Sequence, residues 1–120
     1  MAVQHEAAEQ MYLMQWAHCF SGNYPELDLL FHIPNGGSRN KFEAANLKRQ
    51  GVKAGVPDLF LPVPRGGYHG LFIEMKYGKN KPTGEQKEWM RRLEEQAYKA
   101  AVCYGWQEAA DLIMDYLKLK

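Results

Sequence analysis

The sequence predicts an α/β fold: a mixed β-sheet flanked by helices. Three observations predict it. Apolar residues recur at helical spacing near both ends, short apolar runs bounded by Pro and Gly lie between them, and the elements follow in the order helix, strand, helix, hairpin, helix, strand, helix. The 120 residues suit one domain, residues 1–120, and 46% hydrophobic content with five Phe, seven Tyr and three Trp is enough for a core. No repeat, linker or low-complexity segment interrupts it.

The first helix is expected over residues 5–20, with Ala7, Met11, Met14, Ala17 and His18 or Cys19 on its apolar face and Ser21-Gly22-Asn23 ending it. A turn through Pro25 leads to a short apolar run, Leu29-Leu30-Phe31-His32-Ile33, read as a strand that enters a tight loop at Pro34-Asn35-Gly36-Gly37. A second helix follows from about Asn40 to Gln50, closed by Gly51.

Asp58–Val63 and His69–Lys76 read as two strands joined through Pro64-Arg65-Gly66-Gly67, hence antiparallel neighbours. Thr83 to Ala97 forms a third helix with Trp89, Met90, Leu93 and Ala97 on one face and the charge pairs Glu88/Arg92 and Arg91/Glu95 on the other. Ala100–Tyr104 is a short strand, and Gln107–Leu117 a last amphipathic helix.

Fifteen Lys plus Arg against fourteen Asp plus Glu leave a net charge of +1, so attraction to a polyanion must come from local patches or from metal ions. Cys19 and Cys103 match no metal-ligand spacing and sit among apolar neighbours, as reduced packing residues of an intracellular protein do. The first residues lack a basic stretch followed by an apolar run, and no segment reaches the ~20 apolar residues of a membrane span, so neither secretion nor membrane insertion is expected.

The chemistry is expected on the second and third strands. Residues two apart on a strand share a face, so Glu74 and Lys76 project together with Phe72 while Ile73 and Met75 point away. Asp58 follows Gly55-Val56-Pro57, and a hairpin turning near Gly66 and Gly67 brings it level with Glu74. Two converging carboxylates suit Mg²⁺ or Mn²⁺, which take oxygen ligands and keep waters that can attack phosphorus. Lys76 could stabilise phosphorane charge or orient the attacking water. The plainer alternative is an Asp at a strand end beside an exposed Glu-x-Lys pair on a solvated face.

At these residues the chain resembles the virus-type replication-repair nuclease (VRR-NUC) domain of the PD-(D/E)xK superfamily, which has a restriction-endonuclease-like core. The matching segments are His32-Ile33-Pro34-Asn35-Gly36-Gly37, Gly51-Val52-Lys53-Ala54-Gly55-Val56-Pro57-Asp58-Leu59, Phe72-Ile73-Glu74-Met75-Lys76 and Thr83-Gly84-Glu85-Gln86. The resemblance spans most of the chain and looks like a stand-alone domain of phage or prophage type. It implies metal-dependent hydrolysis of DNA, with Asp58 and Glu74 as metal ligands, the Met75 carbonyl completing the site, and Lys76 as the catalytic lysine. It further implies a bacterial or phage-infected cytoplasm.

The resemblance also implies a first-helix acid near the metal, for which Glu6 is slightly preferred to Glu9; both equally fit solvated acids near a helix N-terminus. Gln86 matches a glutamine that approaches the active site, and Thr83-Gly84-Glu85-Gln86 equally fits a capping box. His32 and Asn35 either line the cleft and contact phosphate or serve as a buried His and a simple turn. Arg39, Lys41, Lys48, Arg49 and Lys53 around the second helix, with Lys76, Lys79 and Lys81 after the third strand, suggest a DNA track.

The expected function is a nicking or structure-selective DNA endonuclease using Mg²⁺ or Mn²⁺. A non-catalytic DNA-binding or scaffold module with a nuclease-like fold is the alternative, and a hydrolase of small phosphate esters ranks last because no P-loop is evident. No nucleotide cofactor is expected. So small a domain offers little surface to grip a duplex, and symmetric dimers are the commonest oligomers, so a homodimer is expected, as for short viral members of the family.

Overall fold

Ala2–Phe20 forms helix α1, and Pro25–Leu29 a short 3-10 helix. Strand β1 (Phe31–His32), helix α2 (Lys41–Arg49) and strands β2 (Leu59–Leu61) and β3 (Leu71–Lys76) follow. Helix α3 (Gly84–Glu95), strand β4 (Lys99–Tyr104) and helix α4 (Trp106–Leu117) complete the order. This computed structural model describes residues 2–34 and 40–120, with the side chains of residues 2–4 left aside. Asn35 and Arg39 therefore lie outside the described residues, as do Gly36 and Gly37.

The strands form one mixed sheet in the order β1-β2-β3-β4. β2 and β3 are antiparallel in the register Leu59↔Ile73, Phe60↔Phe72 and Leu61↔Leu71, as the hairpin reading expects. Their connection turns at Gly66 and Gly67, whose φ of +58° and +86° suit residues without a Cβ, between the bridged residues Arg65 and Tyr68. β4 runs parallel to β3, which requires the crossover that α3 supplies.

The sheet divides the molecule. Leu59, Leu61, Leu71, Ile73 and Met75 belong to a buried cluster with Leu13 and Ala17 of α1 and Ala109, Ile113 and Tyr116 of α4. Alternation turns Phe60, Phe72, Glu74 and Lys76 to the opposite face, beside α3. All six residues of β3 are buried, so the central strand carries both the core and the charged pair.

Several expectations are corrected. Leu29 ends the 3-10 helix, so β1 is shorter than the expected Leu29–Ile33. Pro25 starts that turn, and the N–H groups of Leu27 and Leu30 donate to the carbonyls of Tyr24 and Leu27 instead of a strand partner. On α1 the buried residues are Leu13 and Ala17, four apart, while Met11 is 60% exposed. Apolar residues surround most of α1, so contact with α4 selects the buried face. Cys19, two residues past Ala17, is consequently turned to solvent, whereas Cys103 is buried. On α3, Glu88 pairs with Arg91 at 2.6 Å instead of with Arg92, while the expected Arg91–Glu95 pair forms at 2.8 Å. Among the described residues no helix is long and apolar enough to cross a membrane.

Candidate active site

Asp58 stands just before β2, one residue ahead of the pair Leu59↔Ile73, which sets it opposite the Glu74 end of β3. Its Oδ2 accepts the backbone N–H of Met75 at 2.9 Å. A carboxylate from one strand thus takes a main-chain donor of the next, which fixes both its position and its rotamer. Pro57 before it is fully buried, and Gly55 packs closely on α3. A Cβ at Gly55, whose φ is +91°, would lie 2.9 Å from Cβ of Glu85 and 3.0 Å from Trp89. Glycine therefore lets the segment leading into Asp58 seat against the helix.

Glu74 and Lys76 are only 2% and 7% exposed, so they are not the solvated pair of an ordinary amphipathic strand. Lys76 Nζ stands 3.6 Å from Glu74 Oε2. The same oxygen accepts the side-chain N–H of Gln86 at 3.1 Å, while Glu74 Oε1 is buried with no hydrogen-bond partner among the described residues. Burial first, then the nearby Asp58 carboxylate, push the Glu74 acid up to about 8 against the pull of Lys76. Burial also raises Asp58, opposed by the Met75 N–H, the Glu74 side chain, His32 and Lys76. A buried pair of like charges that disfavours double ionisation, and that leaves one oxygen orphaned, is stabilised by a proton or by a cation.

Gln86 performs both roles that its position suggested. Its side-chain oxygen accepts the Thr83 N–H at 2.9 Å, and Thr83 Oγ1 accepts the Gln86 N–H at 3.2 Å, which closes the capping box. Its NH₂ group remains free to reach Glu74. The two ends of one amide thus tie the start of α3 to β3.

His32 on the edge strand places Nδ1 2.9 Å from the Asp58 carbonyl. A carbonyl only accepts, so Nδ1 carries the hydrogen and the neutral ring has its lone pair on Nε2. His32 is exposed instead of buried. The Ile33 N–H donates to the same carbonyl at 2.7 Å, so the edge strand and the site share one anchor.

Residues 4–107 match the VRR-NUC domain. The chain belongs to the VRR-NUC family. A solved structure described as a VRR_NUC domain protein is similar to it throughout, with a TM-score of 0.81 and 37% identity over 96% of this chain and 89% of that one. No curated protein matches it.

Within this VRR-NUC domain the first-helix acids are engaged elsewhere. Glu6 Oε2 accepts the Asn80 side-chain N–H at 2.8 Å, which ties α1 to the turn after β3. Glu9 Oε1 accepts the Trp106 backbone N–H at 2.9 Å and so caps α4, beside Gly105. Among the described residues no three His, Cys, Asp or Glu side chains are grouped to hold a metal ion. Lys41, Lys53 and Lys79 are exposed.

Sequence reading missed Asn80 and Tyr104. Asn80 lies 74 positions from Glu6 and its carbonyl accepts the Tyr104 hydroxyl at 2.8 Å, so this residue locks the turn beyond Lys76 from two sides. No local pattern marks a link over that distance. The Phe60–Phe72 stack, with ring centroids 4.2 Å apart beside the acids, was available from the same alternation that grouped Phe72 with Glu74.

Proposed function

We propose that this protein is a metal-dependent DNA endonuclease of the PD-(D/E)xK type that hydrolyses phosphodiester bonds at Asp58, Glu74 and Lys76, selects branched DNA such as a four-way junction, and works as a homodimer. The observation that carries the reading is the carboxylate pair: half-buried Asp58 held by Met75, buried Glu74 whose Oε1 has no hydrogen-bond partner among the described residues, and Lys76 alongside. An orphaned anionic oxygen within a raised-pKa pair fits Mg²⁺ or Mn²⁺, for which one or two protein carboxylates suffice when water and phosphate complete the shell.

Asp58, Glu74 and the Met75 carbonyl would hold the ion. When bound, it would supply Lewis-acid activation of the phosphodiester. Lys76 would offset the negative charge that builds on the phosphoryl oxygens as water bonds to phosphorus and the ester P–O bond breaks. Gln86 holds Oε2 of Glu74 and so orients the carboxylate toward that centre. His32, with Nδ1 committed to Asp58, would line the cleft with its Nε2 lone pair open to a donor such as water. Lys41, Lys53 and Lys79, with Arg39 and Asn35, would contact DNA beyond the cleaved bond.

Self-association is supported by an apolar groove on α1 formed by Tyr12, Trp16, Cys19 and Phe20 with Trp106. Exposed aromatic surface of this kind favours a partner. A cleavage panel of duplex, flap, single-stranded and four-way DNA with Mg²⁺ or Mn²⁺ tests the activity and its selectivity. Sedimentation tests the dimer: a monomer at working concentration would reject it.

A further inference from the structure

Helix α2, like α3, buries none of its residues. Its Phe42 is 74% exposed, the highest value for a large hydrophobic side chain among the described residues. An exposed aromatic is uninformative alone, so its surroundings decide. At 3.6 residues per turn, half-buried Ala44 and Leu47 mark the inward side of α2. The outward side holds Phe42 and Ala45 with Lys41 and Arg49, all exposed, while Glu43 and Lys48 lie to either side of it, about 100° and 120° around the helix from Phe42. Two cations therefore share the outward side with one bare ring.

The helix is also tied to the site. The chain leaves the sheet after Ile33 and returns at Asp58, and the Ile33 N–H and the His32 ring both bind the Asp58 carbonyl. Ile33 and Asp58, on either side of α2 in the chain, thus meet beside the carboxylates. Asn40 fixes the start of α2 by accepting from the N–H groups of Phe42 and Glu43, which holds the first turn and its ring in place.

We propose that this face of α2 is a nucleic-acid surface on which Phe42 stacks against a base left unpaired or unstacked by a break or branch in DNA, while Lys41 and Arg49 hold flanking phosphates. The inference rests on the reading of DNA as substrate and adds a reason for structure selectivity. A continuous duplex has its bases stacked on one another and offers no free face to the ring. A gap, flap or junction offers one, and aromatic stacking is indifferent to base identity.

The test compares wild type, Phe42→Ala and Phe42→Trp for binding in Ca²⁺ to intact duplex and to the same duplex with a one-nucleotide gap. Because Phe42 is 74% exposed, both variants are expected to fold as wild type. Phe42→Ala is expected to lose about tenfold in affinity for gapped DNA and less than about twofold for intact duplex, with Phe42→Trp restoring the preference. A 2-aminopurine scanned across the gap is expected to change its emission with wild type and not with Phe42→Ala. Equal affinities for the gapped DNA in wild type and Phe42→Ala would overturn the stacking role alone. Failure of wild type to bind either DNA would overturn the substrate reading with it. A dimer in wild type that becomes monomer in Phe42→Ala would assign the ring to a second copy of the chain instead.

Discussion

The side-chain N–H of Gln86 donates to Oε2 of Glu74 at 3.1 Å, while the other end of the same amide caps α3. The two functions separate by mutation. Thr83→Ala removes the hydroxyl half of the capping box and leaves the Gln86 amide in place, and is expected to cost about 1 kcal/mol of stability with turnover nearly kept. Gln86→Ala removes the amide half of the box together with the Glu74 contact, and is expected to lower turnover by about tenfold to a hundredfold as well. Denaturant midpoints and kcat for the two variants check this; equal turnover in both would separate Gln86 from the chemistry.

Asp58 has a similar double duty. Asp58→Asn keeps an oxygen to accept the Met75 N–H and is expected to fold normally while losing cleavage. Asp58→Ala orphans that N–H and is expected to lose about 1–3 kcal/mol of stability in addition. Thermal unfolding measured beside activity distinguishes them, and equal stability would argue that the Met75 contact carries no weight.

The Glu74 acid has its pKa raised from 4.5 to about 8. In the metal-free protein the folded state holds this proton more tightly than the unfolded chain, so its contribution to stability is complete below pH 4.5 and is lost as pH rises through about 8. Asp58 shifts in the same direction. A divalent cation takes the place of the proton, so the rise in melting temperature on adding Mn²⁺ is expected to be larger above pH 8 than near pH 6, against an EDTA control. A pH-independent Mn²⁺ effect would place the ion elsewhere.

Gly55 tests how the site depends on α3. Gly55→Ala forces a Cβ against Glu85 and Trp89 at positive φ, and is expected to cost about 1–3 kcal/mol and to lower activity through displacement of Asp58. Chemical denaturation with a cleavage assay measures both. Unchanged stability would show that the approach of the two segments is slack.

Much of this site was legible because strands have a strict period of two. Glu74, Lys76 and Phe72 share a face by counting alone, and two turn glycines fix the hairpin that brings Asp58 alongside. Gln86 gave two readings because an amide has two ends, and the structure uses both. What the sequence concealed depends on contacts between distant segments. Glu9 caps a helix 97 positions away, and Glu6 meets Asn80, so neither role follows from local spacing. The buried face of α1 was ambiguous for the opposite reason: apolar residues lie almost all around it, and only packing on α4, the 3-10 helix and β3 distinguishes Leu13 from Met11. Leu29 was drawn into a turn by Pro25, which overrode the β propensity of the run.

The most direct measurement of the central claim is cleavage of a labelled four-way junction by wild type and by Lys76→Ala, each with Mg²⁺, Mn²⁺ or EDTA. The expected result is cleavage by wild type with either metal, none in EDTA, and none by a folded, DNA-binding Lys76→Ala protein. Full activity of Lys76→Ala, or wild-type cleavage that persists in EDTA, would contradict the assignment.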